Sequence, residues 1–289
     1  MAEPFYSDNM TQLYLGDCIQ GMRDNLGENL YDLIVTSPPY NVGKSYEEGV
    51  DFGDYLKLLY GFYREGFRVI KRGGYCIVIF ADFMTHFTGG RHIPMEIMHH
   101  ILAERAGWVH RSTRVWKKDF ATLEDKYSIS TLLPKQEIEH IVCFRKPGGG
   151  REKVREHEWH SKAVWDTTGA HQSISARKLH TAGFPEQLVS IILTVYSGEG
   201  DTVIEPFCGS GTALAVAKMM GRRSIGFEIN PQYAEGARLR ICQQTMEQAM
   251  FQRNEVQPGN QPGLGGSEDE HETGDGEVAQ ETGIPASSS

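Results

Sequence analysis

The sequence predicts an α/β fold, a doubly wound and mostly parallel sheet with a small insert. Short apolar runs alternate along the chain with longer segments of helical periodicity, as in parallel sheets covered by helices. A Gly-rich turn lies between one such run and an Ala-rich segment, which is the arrangement at nucleotide sites of doubly wound folds. The length of 289 residues suffices for one large α/β domain with a modest insert.

Five apolar runs are predicted strands because β-branched and aromatic side chains dominate them. They are residues 32–36, 75–80, 139–144, 202–205 and 224–228. Five further segments carry apolar residues at helical spacing and are predicted helices. They are residues 52–69, 94–106, 185–196, 212–220 and 231–248, and a turn signal at 71–74 follows the first of them. The polar, basic segments 117–136 and 146–181 lack such periodicity and are predicted to form loops or the insert.

The acidic charge lies mostly in one segment. The formal net charge is −9, yet residues 251–289 hold eight acidic side chains against one Arg, which leaves residues 1–250 near neutral at −2. Residues 251–289 are rich in Gly, Glu, Pro, Ser and Gln and cannot bury enough apolar surface to offset their ordering entropy. The sequence therefore predicts an ordered domain over 1–250 and a disordered acidic tail over 251–289.

Cysteine usage and the N-terminal segment favour a reduced, cytoplasmic protein. The five cysteines are scattered and odd in number, so neither a disulfide framework nor a zinc site is predicted. His99-His100 and the pair His157/His160 are alternative metal ligands, but no acid or Cys completes a site, and no metal is predicted. No apolar stretch approaches the ~20 residues of a membrane helix, and the N-terminus lacks a signal-peptide layout.

The most informative stretch is the Gly-rich turn after the fourth predicted strand, which ends at Glu205 and continues as Pro-Phe-Cys-Gly-Ser-Gly-Thr. Gly209 and Gly211 let the backbone approach a ligand with no Cβ in the way. Glu228 ends the next predicted strand, about 20 residues on, where an acid can accept hydrogen bonds from ribose hydroxyls. No Lys-Ser/Thr follows the glycines, so the turn is not a phosphate loop. A nucleoside cofactor site is predicted here, and a purely structural turn is the alternative.

The second informative stretch, Ser37-Pro38-Pro39-Tyr40, follows the first predicted strand. Two consecutive prolines stiffen the backbone and remove two N–H donors, which leaves nearby carbonyls free to accept. An aromatic amino nitrogen must be drawn toward tetrahedral geometry before it attacks a methyl group, because its lone pair is delocalised into the ring. The Ser37 hydroxyl and the Pro38 carbonyl could each accept one of its hydrogens, and Tyr40 offers a face for stacking. The alternatives are a rigid turn and methylation at cytosine carbon 5, which is disfavoured because the chain lacks a Pro-Cys dipeptide.

At these residues the sequence resembles the amino-directed (N4-cytosine/N6-adenine) DNA methyltransferases, specifically those with β-type motif order, in which the catalytic tetrapeptide precedes the cofactor turn. The resemblance covers roughly residues 12–245, and its further segments, in the family's order, are 13–18, 71–80, 165–167 and 180–188. It implies a Rossmann-like, S-adenosylmethionine-dependent methyltransferase domain over 1–250, with target recognition within 117–136 and 150–180. The chain reads His-Thr-Ala-Gly-Phe-Pro from residue 180, where the family more often has His-Pro-Ala-Pro-Phe-Pro, which leaves the placement of His180 open.

The resemblance also implies roles for individual residues. Asp17 would accept from the adenine amino group of the cofactor, while Phe184 and Pro185 would line its methionine end. The implied cofactor-binding set is Asp17, Phe184, Pro185, Glu205, Phe207, Gly209, Gly211, Thr212 and Glu228, and the implied catalytic set is Ser37, Pro38, Pro39 and Tyr40. In this family Ser at the first tetrapeptide position is usual for cytosine N4 and Asp for adenine N6. Ser37 therefore favours cytosine N4, and adenine N6 stays open.

Double-stranded DNA is the expected partner, and a paired base must be flipped out of the helix before its amino group can react. Phosphate contacts from Lys and Arg would supply much of the affinity. The candidates are Lys117, Lys118, Arg151, Lys153, Arg177 and Lys178, and a solvated surface charge is the alternative for each. A homodimer and a cognate restriction endonuclease acting on the same site stay open. The rival functions are methylation of RNA or of a protein amide, and a non-catalytic DNA-binding relic.

Overall fold

The computed structural model describes residues 3–39, 51–81, 83–84, 92–117, 138–149, 158–166 and 185–255. Within these ranges the fold is a nine-stranded sheet with helices on both faces, beside a two-stranded ribbon. The strands are β1 (Tyr6–Ser7), β2 (Thr11–Leu15), β3 (Tyr31–Thr36), β4 (Ile70–Phe80), β5 (Phe83–Met84), β6 (His92–Ile93), β7 (Val109–Lys117), β8 (Ile138–Arg145), β9 (Val164–Asp166), β10 (Thr202–Glu205) and β11 (Arg223–Glu228). The helices are α1 (Cys18–Asn25), α2 (Phe52–Val69), α3 (Met95–Arg105), α4 (Glu158–Ser161), α5 (Glu186–Tyr196), α6 (Thr212–Met219) and α7 (Pro231–Glu255).

The large sheet has the strand order β1-β2-β11-β10-β3-β4-β8-β7-β9. The five strands from β2 to β4 are parallel, whereas β8 is antiparallel to both of its neighbours, β4 and β7. Because β8 is antiparallel to both β4 and β7, β7 runs in the same direction as β4. The carboxyl ends of β2, β11, β10, β3, β4 and β7 therefore meet at one edge of the sheet.

The side chains of the central strands face two separate cores. Ile34 of β3 packs with residues of α1, α2 and α3, while its neighbours Leu33 and Val35 pack with residues of α5 and α6. This alternation follows from the two-residue repeat of a strand. On α2, Tyr55, Leu59 and further residues at helical spacing are buried, which gives this helix the apolar stripe that a surface helix needs. Helices on both faces make the fold doubly wound, as predicted.

The predicted strands and helices all recur with adjusted ends, but the turn predicted at 71–74 is wrong. Ile70–Phe80 is a single strand, because the backbone of Gly73 and Gly74 exchanges hydrogen bonds with Lys146 and so continues the ladder toward β8. The polar segment 146–181 is not all loop, since its described part holds α4 and β9.

At the other end of the chain, α7 continues to Glu255, past the predicted end at 248 and into the first residues of the predicted tail. Residues 256–289, the rest of that tail, lie outside the described residues. In the described part of the chain, no helix is both long and apolar enough to span a bilayer.

Candidate active site

The carboxyl ends of the central strands bring the two sequence motifs to one edge of the sheet. β10 ends at Glu205 and lies between β11, which ends at Glu228, and β3, which Ser37 directly follows. Ile204 pairs with Ile34, so the ends of β10 and β3 lie side by side. In open parallel sheets, ligands bind outside the carboxyl ends of the strands, which makes this edge the candidate site.

The Gly-rich turn after β10 is held between β11 and α7. Gly209 and Gly211 have φ values of +53° and +76°, which side chains with a Cβ rarely adopt. A Cβ on Gly211 would lie 2.7 Å from the Cβ of Ala237 on α7. The backbone N–H of Cys208 donates to the carbonyl of Phe227 on β11 at 2.9 Å. The turn is thus packed tightly from behind, and a larger residue at Gly211 would displace α7.

Glu228 ties the same turn to the end of β11. Its Oε2 accepts a hydrogen bond from the backbone N–H of Gly209 at 2.7 Å, and its Oε1 accepts from the N–H of Asn230 at 2.8 Å. The side chain is largely buried, and burial raises the pKa of this carboxyl above its ordinary value. A carboxylate has about four lone-pair positions, so Glu228 can also accept from hydroxyl groups of a ligand.

Glu205 is the most deeply buried acid of the site, with 1% of its surface exposed. Its Oε1 accepts from the hydroxyl of Thr36 at 2.5 Å and from the backbone N–H of Phe207 at 3.3 Å. Its Oε2 is buried and has no hydrogen-bond partner among the described residues. Burial raises the pKa of this carboxyl well above its usual value, although the hydrogen bonds act in the opposite direction. Glu205 is therefore suited to a ligand that brings a positively charged donor.

Asp17 lies at the same edge, one strand beyond Glu228. Its Oδ1 accepts from the backbone N–H of Gln20 at 2.8 Å and so caps the N-terminus of α1. Leu15, two residues earlier, pairs with Glu228 across the β2–β11 ladder. The exposed carboxylate of Asp17 thus lies on the side of Glu228 that is away from Glu205.

The Ser-Pro-Pro segment leaves the sheet directly beside Glu205. Thr36, the last residue of β3, is fully buried, while Ser37 and Pro39 are half-buried and Pro38 is buried. The prolines supply carbonyl acceptors without competing N–H donors. The segment therefore presents acceptor groups one strand away from the Gly-rich turn.

Together these groups fit a positively charged nucleoside. Glu228 offers acceptors where ribose hydroxyls can donate. Oε2 of Glu205, which has no hydrogen-bond partner within the described ranges, suits a cation. The acceptors of Ser37 and Pro38 lie at the end of the neighbouring strand, where they could bind a group that reacts with that nucleoside.

Comparison with known proteins decides the family. The DNA methylase family model N6_N4_Mtase matches residues 31–239, which is most of the chain. The chain belongs to this family. It is a DNA methyltransferase of the amino-directed N4/N6 kind, and its methyl donor is S-adenosylmethionine. The resemblance expected from the sequence is thus confirmed.

Individual relatives agree with this assignment of the methyltransferase. The type II methyltransferase M.HpaI of Haemophilus parainfluenzae is 29% identical over 242 residues, which cover 80% of this chain and 74% of the relative. The orphan methyltransferase M.BamHII of Bacillus amyloliquefaciens is 28% identical over 255 residues, which cover 76% and 92%, respectively.

Solved structures share the fold of the methyltransferase. A candidate DNA modification methylase of Thermus thermophilus, in complex with S-adenosyl-L-methionine, has a TM-score of 0.63 and 27% identity, and the alignment covers 81% of this chain and 95% of that one. The cytosine-N4-specific PvuII DNA methyltransferase has a TM-score of 0.67 over 87% of this chain and 94% of that one. Its 18% identity supports a shared fold only.

Most of the site residues predicted for the methyltransferase come together at this edge of the sheet. They are Asp17, Ser37, Pro38, Pro39, Glu205, Phe207, Gly209, Gly211, Thr212 and Glu228. Pro185 is buried directly before α5, next to Glu186, whose charge raises the pKa of Arg240 beside the turn against the larger, opposite effect of burial. Tyr40 and Phe184 lie outside the described residues. The ligand contacts of all these residues stay predictions.

Two polar residues of this region were not predicted from the sequence. Thr36 immediately precedes Ser37, and its hydroxyl in a buried strand was an overlooked signal. Arg240 of α7 donates from Nη1 to the hydroxyl of Thr212 at the start of α6. Burial lowers the pKa of Arg240, and the charge of Glu186 acts in the opposite direction. No local sequence signal identifies Arg240, because it reaches the turn from a different helix.

Of the six predicted phosphate contacts, the structure describes Lys117. This exposed residue ends β7, at the same edge of the sheet as Ser37, and its Nζ lies 3.4 Å from Oδ2 of Asp166. An ion pair between exposed side chains is weak and can exchange for a phosphate. Lys118, Arg151, Lys153, Arg177 and Lys178 lie outside the described residues, as do most of the predicted recognition segments 117–136 and 150–180.

Proposed function

We propose that the enzyme transfers the methyl group of S-adenosylmethionine to the exocyclic amino nitrogen of a base at a specific site in double-stranded DNA, with cytosine N4 as the favoured target. The observation that carries this proposal is the position of Ser37 and Pro38 directly after β3, beside the strand end that carries Glu205. The hydrogen bond from Thr36 to Glu205 joins the two. Acceptors for an amino group and a turn suited to the methyl donor therefore share one edge of the sheet.

The side chains of the enzyme bind and orient the two substrates and form no covalent bond to them. S-adenosylmethionine supplies an electrophilic methyl group on a sulfonium. The Ser37 hydroxyl and the Pro38 carbonyl each accept one hydrogen bond from the target amino group, which draws the nitrogen lone pair out of the ring and toward the donor. Transfer of the methyl group would leave S-adenosylhomocysteine, and the methylated nitrogen would lose its surplus proton to solvent. Tyr40 stacks on the base. Glu228 accepts from the ribose hydroxyls of the cofactor, and Asp17 accepts from its adenine amino group.

The buried state of Cys208 supports transfer to nitrogen rather than to carbon 5 of cytosine. Attack by a cysteine would require a thiolate. Burial raises the pKa of the Cys208 thiol well above its ordinary value, and the nearby acids Glu205 and Glu228 raise it further. The thiol is therefore protonated at neutral pH, and an amino nitrogen is the better supported target.

Cytosine N4 is favoured over adenine N6 because Ser37 stands where N4-directed members of the family usually have Ser. Adenine N6 is the alternative, since either a hydroxyl or a carboxylate at this position can accept from an amino hydrogen. The recognition segments are proposed within 117–136 and 150–180, and the target base is proposed to flip out of the duplex.

The proposed setting is the cytoplasm. The relatives include both a type II methyltransferase and an orphan methyltransferase, so a restriction partner and a solitary enzyme are both compatible with the family. A cognate endonuclease and a homodimer are candidate partners of this chain.

Expression in a bacterium that lacks its own DNA methyltransferases, followed by long-read sequencing and mass spectrometry of nucleosides, tests the proposal. We expect N4-methylcytosine at one short sequence motif, and none from cells that express the Ser37→Ala variant. N6-methyladenine at a motif would support the alternative base. An unmodified genome, together with methyl transfer by the purified enzyme to RNA or protein, would contradict the proposed substrate. An unmodified genome without binding of S-adenosylmethionine would favour the non-catalytic relic.

Replacement of Lys117 by alanine is expected to weaken DNA binding several-fold and to reduce the salt dependence of binding. One lost phosphate contact lowers the slope of log K against log salt by about 0.9. Fluorescence anisotropy of labelled duplex DNA at several salt concentrations measures both quantities. The matched control is Lys71→Ala, because Lys71 is similarly exposed and also paired with an Asp, but is the second residue of β4 and lies toward the opposite edge of the sheet. An unchanged slope for Lys117→Ala, or an equal change for Lys71→Ala, would contradict the prediction that Lys117 contacts a DNA phosphate.

A further inference from the structure

One side-chain hydrogen bond joins the strand end that carries Ser37 to the cofactor turn. The hydroxyl of Thr36 donates to Oε1 of Glu205 at 2.5 Å. The exposed fractions of Thr36 and Glu205 are 0% and 1%, so water does not compete for the bond. Both residues are the last of their strands, β3 and β10, which are parallel neighbours. The bond therefore connects the two strand ends from which the Ser37 segment and the Gly-rich turn leave the sheet.

The second oxygen of Glu205 has a different environment. Oε2 is buried without a hydrogen-bond partner among the described residues, which is a costly state for a carboxyl oxygen. The charged or titratable groups that act on Glu205 include Glu228, which disfavours ionisation, while the Thr36 hydroxyl and the N–H of Phe207 favour it. A cationic donor from a ligand would satisfy Oε2 and stabilise the ionised form.

We propose that Thr36 is a positioning residue of this enzyme. Its hydroxyl holds Oε1 of Glu205 so that Oε2 is available to the α-ammonium group of the cofactor's methionine moiety, and the same bond sets the distance between Ser37 and the methyl donor. The first part rests on the cofactor alone, and the second part rests on the proposed function of Ser37. A carboxyl group without this anchor can rotate about its last side-chain bond and exchange the two oxygens.

The shape of Thr36 allows the hydroxyl to be tested separately from packing. Valine has the same branched shape and the same preference for a strand, but no donor. Serine keeps the donor and loses one methyl group. If Thr36 served packing alone, Thr36→Val would be the milder change and Thr36→Ser the more damaging one. The proposal expects the opposite order.

The first measurement is cofactor discrimination by isothermal titration calorimetry. The ligands are S-adenosylhomocysteine and its analogue that lacks only the α-amino group. The wild type should bind S-adenosylhomocysteine more tightly than the analogue. Thr36→Val should lower the ratio of the Kd of the analogue to the Kd of S-adenosylhomocysteine by about tenfold, which corresponds to about 1.4 kcal/mol. Thr36→Ser should rescue the ratio. The affinity for the analogue itself should change little, which shows that the adenosine end of the site is intact.

Glu205→Gln provides a second route, because its amide keeps the bond to Thr36 but presents N–H groups in place of Oε2. This variant should also lose the preference for the amino ligand. If Thr36→Val does not fold, Thr36→Ala replaces it. A folded Thr36→Val or Thr36→Ala variant with the wild-type ratio would overturn the proposal, as would a wild-type ratio in Glu205→Gln.

The second measurement is kcat for methylation of unmethylated phage DNA at saturating S-adenosylmethionine. Thr36→Val should lower kcat by about tenfold relative to Thr36→Ser, because Ser37, which accepts from the target amino group, is no longer held at a fixed distance from the methyl donor. Equal kcat values for the two variants would overturn the link to Ser37. A wild-type enzyme that does not methylate DNA would refute the proposed function, but the ratio of ligand affinities would still decide the role of Thr36 at the cofactor.

Discussion

Replacement of both Ser37 and Tyr40 by alanine is expected to lower kcat for DNA methylation by roughly 100-fold or more, which is the size of effect seen when a preorganised transition-state hydrogen bond is lost. The variant loses the hydroxyl acceptor for the amino group and the aromatic face for the base. Because neither residue is assigned to the cofactor, the Kd for S-adenosylhomocysteine should stay within about twofold of the wild-type value. Transfer of tritiated methyl groups to unmethylated phage DNA and calorimetric titration measure these two quantities.

The control for this experiment is Ser190→Ala. Ser190 is a half-buried serine of α5 whose hydroxyl donates to the carbonyl of Glu186 within the helix, so its removal should leave kcat unchanged. The double variant must also melt as cooperatively as the wild type. If the double variant modified a host genome at the wild-type level, the amino-directed mechanism at this turn would be refuted.

Replacement of Glu228 by alanine is expected to weaken binding of S-adenosylmethionine by roughly 100-fold. The substitution leaves the backbone N–H groups of Gly209 and Asn230 without their acceptor and removes the acceptor for the ribose hydroxyls. Hydrogen bonds to a charged group contribute about 1.5–3 kcal/mol each, and about 1.4 kcal/mol corresponds to a tenfold change in Kd. Calorimetric titration with S-adenosylmethionine measures the loss.

A matched acid on α7 controls for charge. Glu235 is half-buried, with 46% of its side chain exposed, and is paired with Arg238 on the same helix, so Glu235→Ala should bind the cofactor as the wild type does. The pH profile adds a second readout. Burial raises the pKa of Glu228, and the ionised form is the better acceptor, so wild-type affinity should rise as the pH rises through that pKa. Glu228→Gln should lack this contribution. A folded Glu228→Ala variant with a Kd within about threefold of the wild-type value would refute the assignment.

The central strands and both turns could be predicted because their determinants are local. The run that became β3 has three consecutive apolar residues at its centre, and these are buried on both faces, as expected for a strand inside a parallel sheet. The two glycines with positive φ and the two consecutive prolines restrict the backbone of their own turns. The end of β11 could likewise be predicted from the local sequence, and this prediction placed Glu228 at the edge where the carboxyl ends of the parallel strands meet.

Other elements were missed because their pairing decides them. β7 alternates polar and charged residues with few apolar ones, and it becomes a strand through the ladder that it forms with β8. The signal at 71–74 indicates a turn locally, yet Lys146 supplies backbone partners that extend β4 through it. Lys146 also donates its buried amine to carbonyls of Phe67 and Ile70. Such partners, about 75 residues away, leave no trace in the local pattern.

The sequence by itself predicted the family, the succession of the central strands and the two motif turns along the chain, and the residue types that the chemistry needs, because each motif is continuous along the chain. Tertiary structure alone decided which of these residues touch. The Thr36–Glu205 pair spans 169 residues and the Thr212–Arg240 pair spans 28. Hydrogen bonds of this kind depend on strand order and helix crossing, which arise only when the sheet assembles and water is excluded from its edge.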